Sequence, residues 1–169
     1  MDLSRDYWDQ RANADLSIGG RMYYTTGDIG VQDNMVTHCM LFNKEMVRQY
    51  GFDDPYELVK DDKWTLEALG TMVRAVGEDA NQDGVYDEND VYGLMTWLDN
   101  VQAILAGAGE RVCRVNDSGE LELTLYNERV VNLYDDFTAL IYDSSHVFNY
   151  QYDNKTGDRS SSDVWDKNR

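Results

Sequence analysis

Asp79-Ala80-Asn81-Gln82-Asp83-Gly84-Val85-Tyr86-Asp87-Glu88-Asn89-Asp90 sets oxygen-bearing side chains at alternate positions and then a glycine. Counted from Asp79, the oxygens of Asp79, Asn81 and Asp83 fall at positions 1, 3 and 5, and Gly84 at position 6 marks a sharp turn. Val85 follows with a backbone carbonyl to offer, Asp87 stands at position 9, and Asp90 closes the loop at position 12. A hard cation takes about six to eight oxygens, and carboxylates wrapped round a tight turn supply them. The stretch therefore reads as a calcium loop with Asp79, Asn81, Asp83, Val85, Asp87 and Asp90 as ligands. A bidentate Glu usually ends such a loop, so the shorter Asp90 implies a looser site or fewer ligands. The alternative is a solvated acidic turn that holds no ion.

The flanks say what the loop joins. Upstream, Lys63-Trp64-Thr65 opens a helix that Thr65 can cap, with Leu66, Leu69, Met72, Val73 and Val76 on one face and Gly77 at its end. Trp64 is expected to pack the entry of that helix. Downstream, residues 91–97 read as a strand ending at Trp97. A helix, an ion loop and a strand make a staple between two elements, not a paired sensor hand that opens a groove.

Further out, Leu16 to Tyr24 forms two short runs around Gly19-Gly20, a two-residue hairpin signal. The polar loop Thr25 to Gly30 follows two tyrosines and could rim a polar ligand. Met35 to Phe42 is apolar on both parities, which predicts a strand buried on both faces, with His38 as a core residue. Asn43 caps a short helix from Lys44 to Tyr50; Asp54-Pro55 starts another. A helix to about Ala106 follows Asp99-Asn100. Next comes a hairpin around Asn116 to Gly119 with one wet face. Asn127 caps a long helix carrying Val130, Tyr134, Phe137 and Ile141 on one stripe. Beyond Ser144 the chain turns polar, and a loop with a frayed terminal helix is expected.

Composition excludes several classes. With 169 residues the chain has the size of one ordinary domain. A formal net charge of -17 argues against nucleic acid and anionic membranes, which need a basic face. No run reaches the roughly 18 apolar residues of a membrane span. The start, Met1 to Trp8, lacks the pattern of a signal peptide, so the protein is expected to be cytoplasmic or a piece of a longer chain. Cys39 and Cys113 make no disulfide framework and read as separate, semi-buried thiols. No phosphate loop, nucleophile elbow or His/Cys metal spacing occurs, so the chain reads as a binding module and not an enzyme.

Phe42-Asn43-Lys44, Tyr50-Gly51, Asp54-Pro55, Lys63-Trp64-Thr65, Tyr92-Gly93-Leu94 and Gly107-Ala108-Gly109 occur in an order that resembles the family 1 extracellular solute-binding proteins of sugar ABC transporters. The likeness runs from about Asp2 to Tyr142. It implies an α/β, periplasmic-binding-protein-like (type II) lobe: a mixed, mainly parallel sheet with flanking helices and a surface hairpin. It also implies oligosaccharide capture in a cleft between lobes, delivery to ABC permease subunits, a monomer, and a parent that is extracellular or periplasmic and often lipid-anchored. Some members carry a comparable calcium loop. Members run to roughly twice this length or more, beyond one domain. Residues 1–169 therefore look like an internal segment, mostly one lobe, with a lobe-crossing piece at its start. That explains the missing signal pattern without a cytoplasmic location, and it puts sugar affinity of the segment alone in doubt. Tyr24, Asp28, Asn34 and Trp97 are the candidate sugar contacts. The rival readings are a fragment or accessory module of an extracellular glycosidase, and a calcium-stabilised structural module without a ligand.

Overall fold

The computed structural model describes residues 2–31, 35, 37–87 and 89–150. In chain order these form α1 (Gln10–Asp15), β1 (Ser17–Ile18), β2 (Arg21–Met22), α2 (Lys44–Gln49), α3 (Pro55–Lys60), α4 (Leu66–Arg74), β3 (Leu94–Thr96), α5 (Asn100–Gly107), β4 (Cys113–Val115), β5 (Leu121–Leu123), α6 (Glu128–Ile141) and β6 (Val147–Asn149). The fold is mixed α/β. Where one mixed sheet is expected, the described residues hold three two-stranded pieces. β3 and β6 are parallel; the other two pairs are antiparallel hairpins. The chain divides into two compact units, Met1–Met40 with Leu105–Val131, and Leu41–Ile104 with Asn132–Arg169.

The second unit holds the larger core. Three of its helices begin on side-chain caps. Asn43 accepts from the N–H groups of Glu45 and Met46, Asp54 from Tyr56, and Thr65 from Ala68. Each cap satisfies donors that the first helical turn leaves unpaired. On α4 the predicted stripe turns inward: Leu69 and Val73 pack with Leu140 of α6 and Val147 of β6, flanked by Trp64, Leu66 and Leu94. Trp64 thus packs the helix entry, as its position predicts. Gly93 lets the strand touch the helix, since a Cβ there would collide with the Val73 backbone. Tyr92 and Phe148 form a second cluster, with Met95 and Tyr150 against it.

In the first unit, β1 and β2 pair Ser17 with Met22 and Ile18 with Arg21, leaving Gly19-Gly20 as the two-residue turn. β4 and β5 pair around the turn that Asn116 closes by accepting from Ser118 and Glu120. α1 is short and capped by Asp9. An ion pair joins Arg111 to Asp15.

Several expectations change. Residues 37–42 form no strand, and Leu41 is 74% exposed. Two-parity apolarity is what a covered strand needs, but it supplies no neighbour to cover it. Here Phe42 instead meets the Tyr56 ring edge-on at 5.3 Å. His38 is accordingly exposed and not a core residue. Cys39 and Cys113 are both exposed free thiols, not semi-buried ones. The β4–β5 hairpin is wet on both faces, not one. On α6, Val130, Phe137 and Ile141 are buried, whereas Tyr134 is exposed. α1 and β6 were not expected. Asn34 and the chain beyond Tyr150 lie outside the described residues.

Candidate metal loop and aromatic sites

The acidic loop is built on its own side chains. Asp79 Oδ2 accepts from the Gly84 N–H at 2.9 Å, Asn81 Oδ1 from Asp83 at 3.0 Å, Asp83 Oδ1 from Val85 at 2.7 Å, and Asp87 Oδ1 from Asn89 at 2.8 Å. Asn81 Nδ2 also donates to Asp83 Oδ2. Each bond folds an oxygen back over the main chain, which is why Asp and Asn dominate such turns. Gly84 sits at φ 78, a conformation that glycine adopts without steric cost.

Asp90 behaves differently from its neighbours. It is 1% exposed, and its two oxygens accept from Ala80 at 3.0 Å and Asp87 at 2.7 Å. It clamps the two ends of the loop together. Beside it, Glu78 and Val91 exchange both backbone hydrogen bonds, so the loop leaves and returns through one antiparallel bridge. Tyr92 donates from its hydroxyl to the Asp87 carbonyl at 2.8 Å. The staple geometry between α4 and β3 is therefore present in the protein chain itself.

Among the described residues no three His, Cys, Asp or Glu side chains converge as a preformed metal cage. The donor set nevertheless fits a hard cation in one specific respect. Asp79 Oδ1 is buried and has no hydrogen-bond partner among the described residues. A shielded carboxylate oxygen without a donor is costly unless a cation faces it. Asp79, Asn81, Asp83 and Asp87, with the Val85 carbonyl, are the residues that would hold calcium. Asp90 contributes first as the clamp.

The sugar candidates fall in different units. Tyr24 and Asp28 are exposed in the first unit, in the segment that follows β2. That segment is pinned at its back: Asp28 donates its N–H to the Tyr7 carbonyl, Asp9 donates to Thr26, and Thr25 Oγ1 donates to Asn13 Oδ1 at 2.6 Å. Trp8 and Asn13 are buried there, and neither Trp8 Nε1 nor Asn13 Nδ2 has a partner among the described residues. Asn13 was not singled out from sequence. No local pattern marks it, because a polar residue in a short helix reads as solvent-facing until its distant partner Thr25 is known. Trp97 belongs to the second unit and is 38% exposed, just after β3.

A second polar knot precedes β6. Asp143 accepts from Ser145 Oγ at 2.7 Å and lies 3.0 Å from His146 Nδ1. Burial pushes the Asp143 carboxyl up, but the bonds from His146 and Ser145 outweigh it and hold the group below the usual carboxylate range. Gly77 packs against this turn, where a Cβ would collide with the Ser145 carbonyl.

Comparison with protein-family models, with curated proteins and with solved structures finds no match to this chain.

Proposed function

We propose that the chain is a calcium-stapled segment of an extracellular receptor that captures oligosaccharide for an ABC importer. The single observation that carries the calcium part is Asp79 Oδ1, buried and without a partner among the described residues, inside a turn of acidic side chains. Calcium at that oxygen would neutralise the cluster and tie the end of α4 to the start of β3.

The capture part rests on the ordered motifs of the sequence. It is supported by their local structures: the Asn43 cap, the Asp54-Pro55 start, the Thr65 cap and the close approach at Gly93. In this reading the segment is part of a type II lobe, the parent is anchored at or secreted across a membrane, and permease subunits are its partners. Among the described residues no helix is long and apolar enough to cross a membrane.

Calorimetry with gluco-, xylo- and galacto-oligosaccharides tests the capture part. This chain alone binds weakly, while a chain carrying both lobes binds at micromolar level or tighter. Tight binding by the segment alone would remove the two-lobe argument; no binding by the longer chain would remove capture. In that case the exposed loop and its orphan oxygen favour the second reading, a calcium-stabilised structural module.

A further inference from the structure

β3 and β6 run parallel and in register, with Leu94 opposite Val147 and Thr96 opposite Asn149. The next residue on each strand is aromatic: Trp97 after β3 and Tyr150 after β6. Their rings meet edge to face, with centroids 5.4 Å apart and planes at 67°. Open α/β arrangements take their ligands outside the carboxyl ends of parallel strands, where the last residues and following loops converge. Two aromatic side chains are brought together at that end of this pair.

The base of the pair is firm. Thr96 and Asn149, directly before the two aromatics, are buried. The Trp97 carbonyl accepts from the Asn100 N–H at 3.1 Å, and Asn100 Nδ2 donates to Thr96 Oγ1 at 2.9 Å. The Trp97 backbone is thus held between a strand end and a helix start, yet the residue keeps 38% of its surface in solvent. Tyr150 also packs on the Tyr92–Phe148 cluster, so its ring is fixed from behind.

We propose that Tyr150 joins Trp97 as a binding residue, and that the two form an aromatic corner for a pyranose ring. This rests on the carbohydrate reading above. A pyranose has an apolar C–H face and a rim of hydroxyls. The indole face takes the C–H face, and the tyrosine ring, nearly perpendicular, closes one side and fixes the indole plane. Ligand sites of this kind are mostly apolar and aromatic, with a few polar groups for orientation. Asp99, exposed two residues beyond Trp97, supplies a carboxylate for the hydroxyl rim. The corner selects hydroxylated six-membered rings over flexible polyols, which have no flat apolar face.

The test is nuclear magnetic resonance on the full chain in calcium, titrated with millimolar maltotriose, cellotriose, xylotriose and sorbitol. The Trp97 indole N–H signal is assigned with Trp97→Phe, and an unmoved Trp64 signal certifies folding of each variant. At least one trisaccharide is expected to shift the Trp97 signal, and sorbitol is not. Tyr150→Phe keeps the response, and Tyr150→Ala weakens binding about tenfold, about 1.4 kcal/mol. Wild-type affinity in a folded Tyr150→Ala would overturn the corner and leave the carbohydrate reading standing. So would saccharide shifts confined to residues away from Trp97. If no saccharide moves any resonance, the corner is overturned, while the carbohydrate reading is decided separately by calorimetry on the longer chain.

Discussion

Among the described residues, two strand pairs of three residues each could hardly differ more in setting. β3–β6 is parallel and packed under α4 and α6, with Phe148 fully buried. β4–β5 is an antiparallel hairpin whose six residues are all exposed, Leu123 at 70%. Ladder length is the same, so hydrogen bonds do not separate them. What separates them is the apolar surface removed from water, at about 25 cal/mol per Å². The parallel pair is a core element that happens to be short. The hairpin is a local turn that its Asn116 side chain closes without help from a core.

That contrast can be broken most easily by truncation. Phe148→Ala is expected to cost about 3–5 kcal/mol, because it empties a site shared with Tyr92 and leaves a cavity. Denaturant unfolding measures it, and a cost near zero would mean that β6 is not core. Next in size is Asp90→Ala. It removes the acceptor of two part-buried hydrogen bonds, from the N–H groups of Ala80 and Asp87, each worth about 0.5–1.5 kcal/mol net. The same unfolding experiment in calcium-free buffer isolates this clamp from any effect of the ion.

Asp143→Asn sharpens the contrast through pH. The folded carboxyl is held below its ordinary value, so its contribution is fully present above that value and is lost as pH falls through the folded one. At neutral pH the substitution is expected to cost about 1 kcal/mol, the scale of one such hydrogen bond. The gap between the two proteins should close below about pH 4, where the free carboxyl protonates. A gap that stays constant into acid would show that Asp143 acts by packing alone. The smallest effect belongs to the hairpin: Leu123→Ala should fall within about 0.5 kcal/mol, as for surface positions. A larger loss would mean that something covers β5.

Legibility in the sequence follows the same division. Features set by neighbours in the chain could be read directly: the Asn43, Asp54, Thr65 and Asn127 caps, the Gly19-Gly20 and Asn116 turns, and the α4 stripe. Features set by distant partners could not. β6 is three residues long, too short for any periodicity, and is a strand only because β3 lies beside it. Residues 37–42 have the opposite history, with the pattern of a buried strand and no ladder among the described residues. In the loop, the spacing from Asp79 to Asp90 gave the turn and its oxygens. It could not show that Asp90 spends both oxygens on the backbone, nor that Asp79 keeps one buried with no partner among the described residues. Tyr150 was not singled out, because its partner Trp97 is far away in the chain and close only across the parallel pair.

The loop is where the account stands or falls, and thermal unfolding with and without calcium tests it. Asp79, Asp83, Asp87 and Asp90 bring like charges around one turn, and a cation that binds only the folded chain stabilises it by mass action. Calcium at about 100 times its dissociation constant is expected to add roughly 2.7 kcal/mol. A loop that ends in Asp is expected at the weak end of calcium affinity, about 10⁻⁴–10⁻³ M. The melting temperature should rise in millimolar calcium, fall with chelator, and respond poorly to magnesium, while Asp83→Ala should lose most of the response. Identical melting curves in calcium and in chelator would contradict the account and leave Asp79–Asp90 an acidic turn.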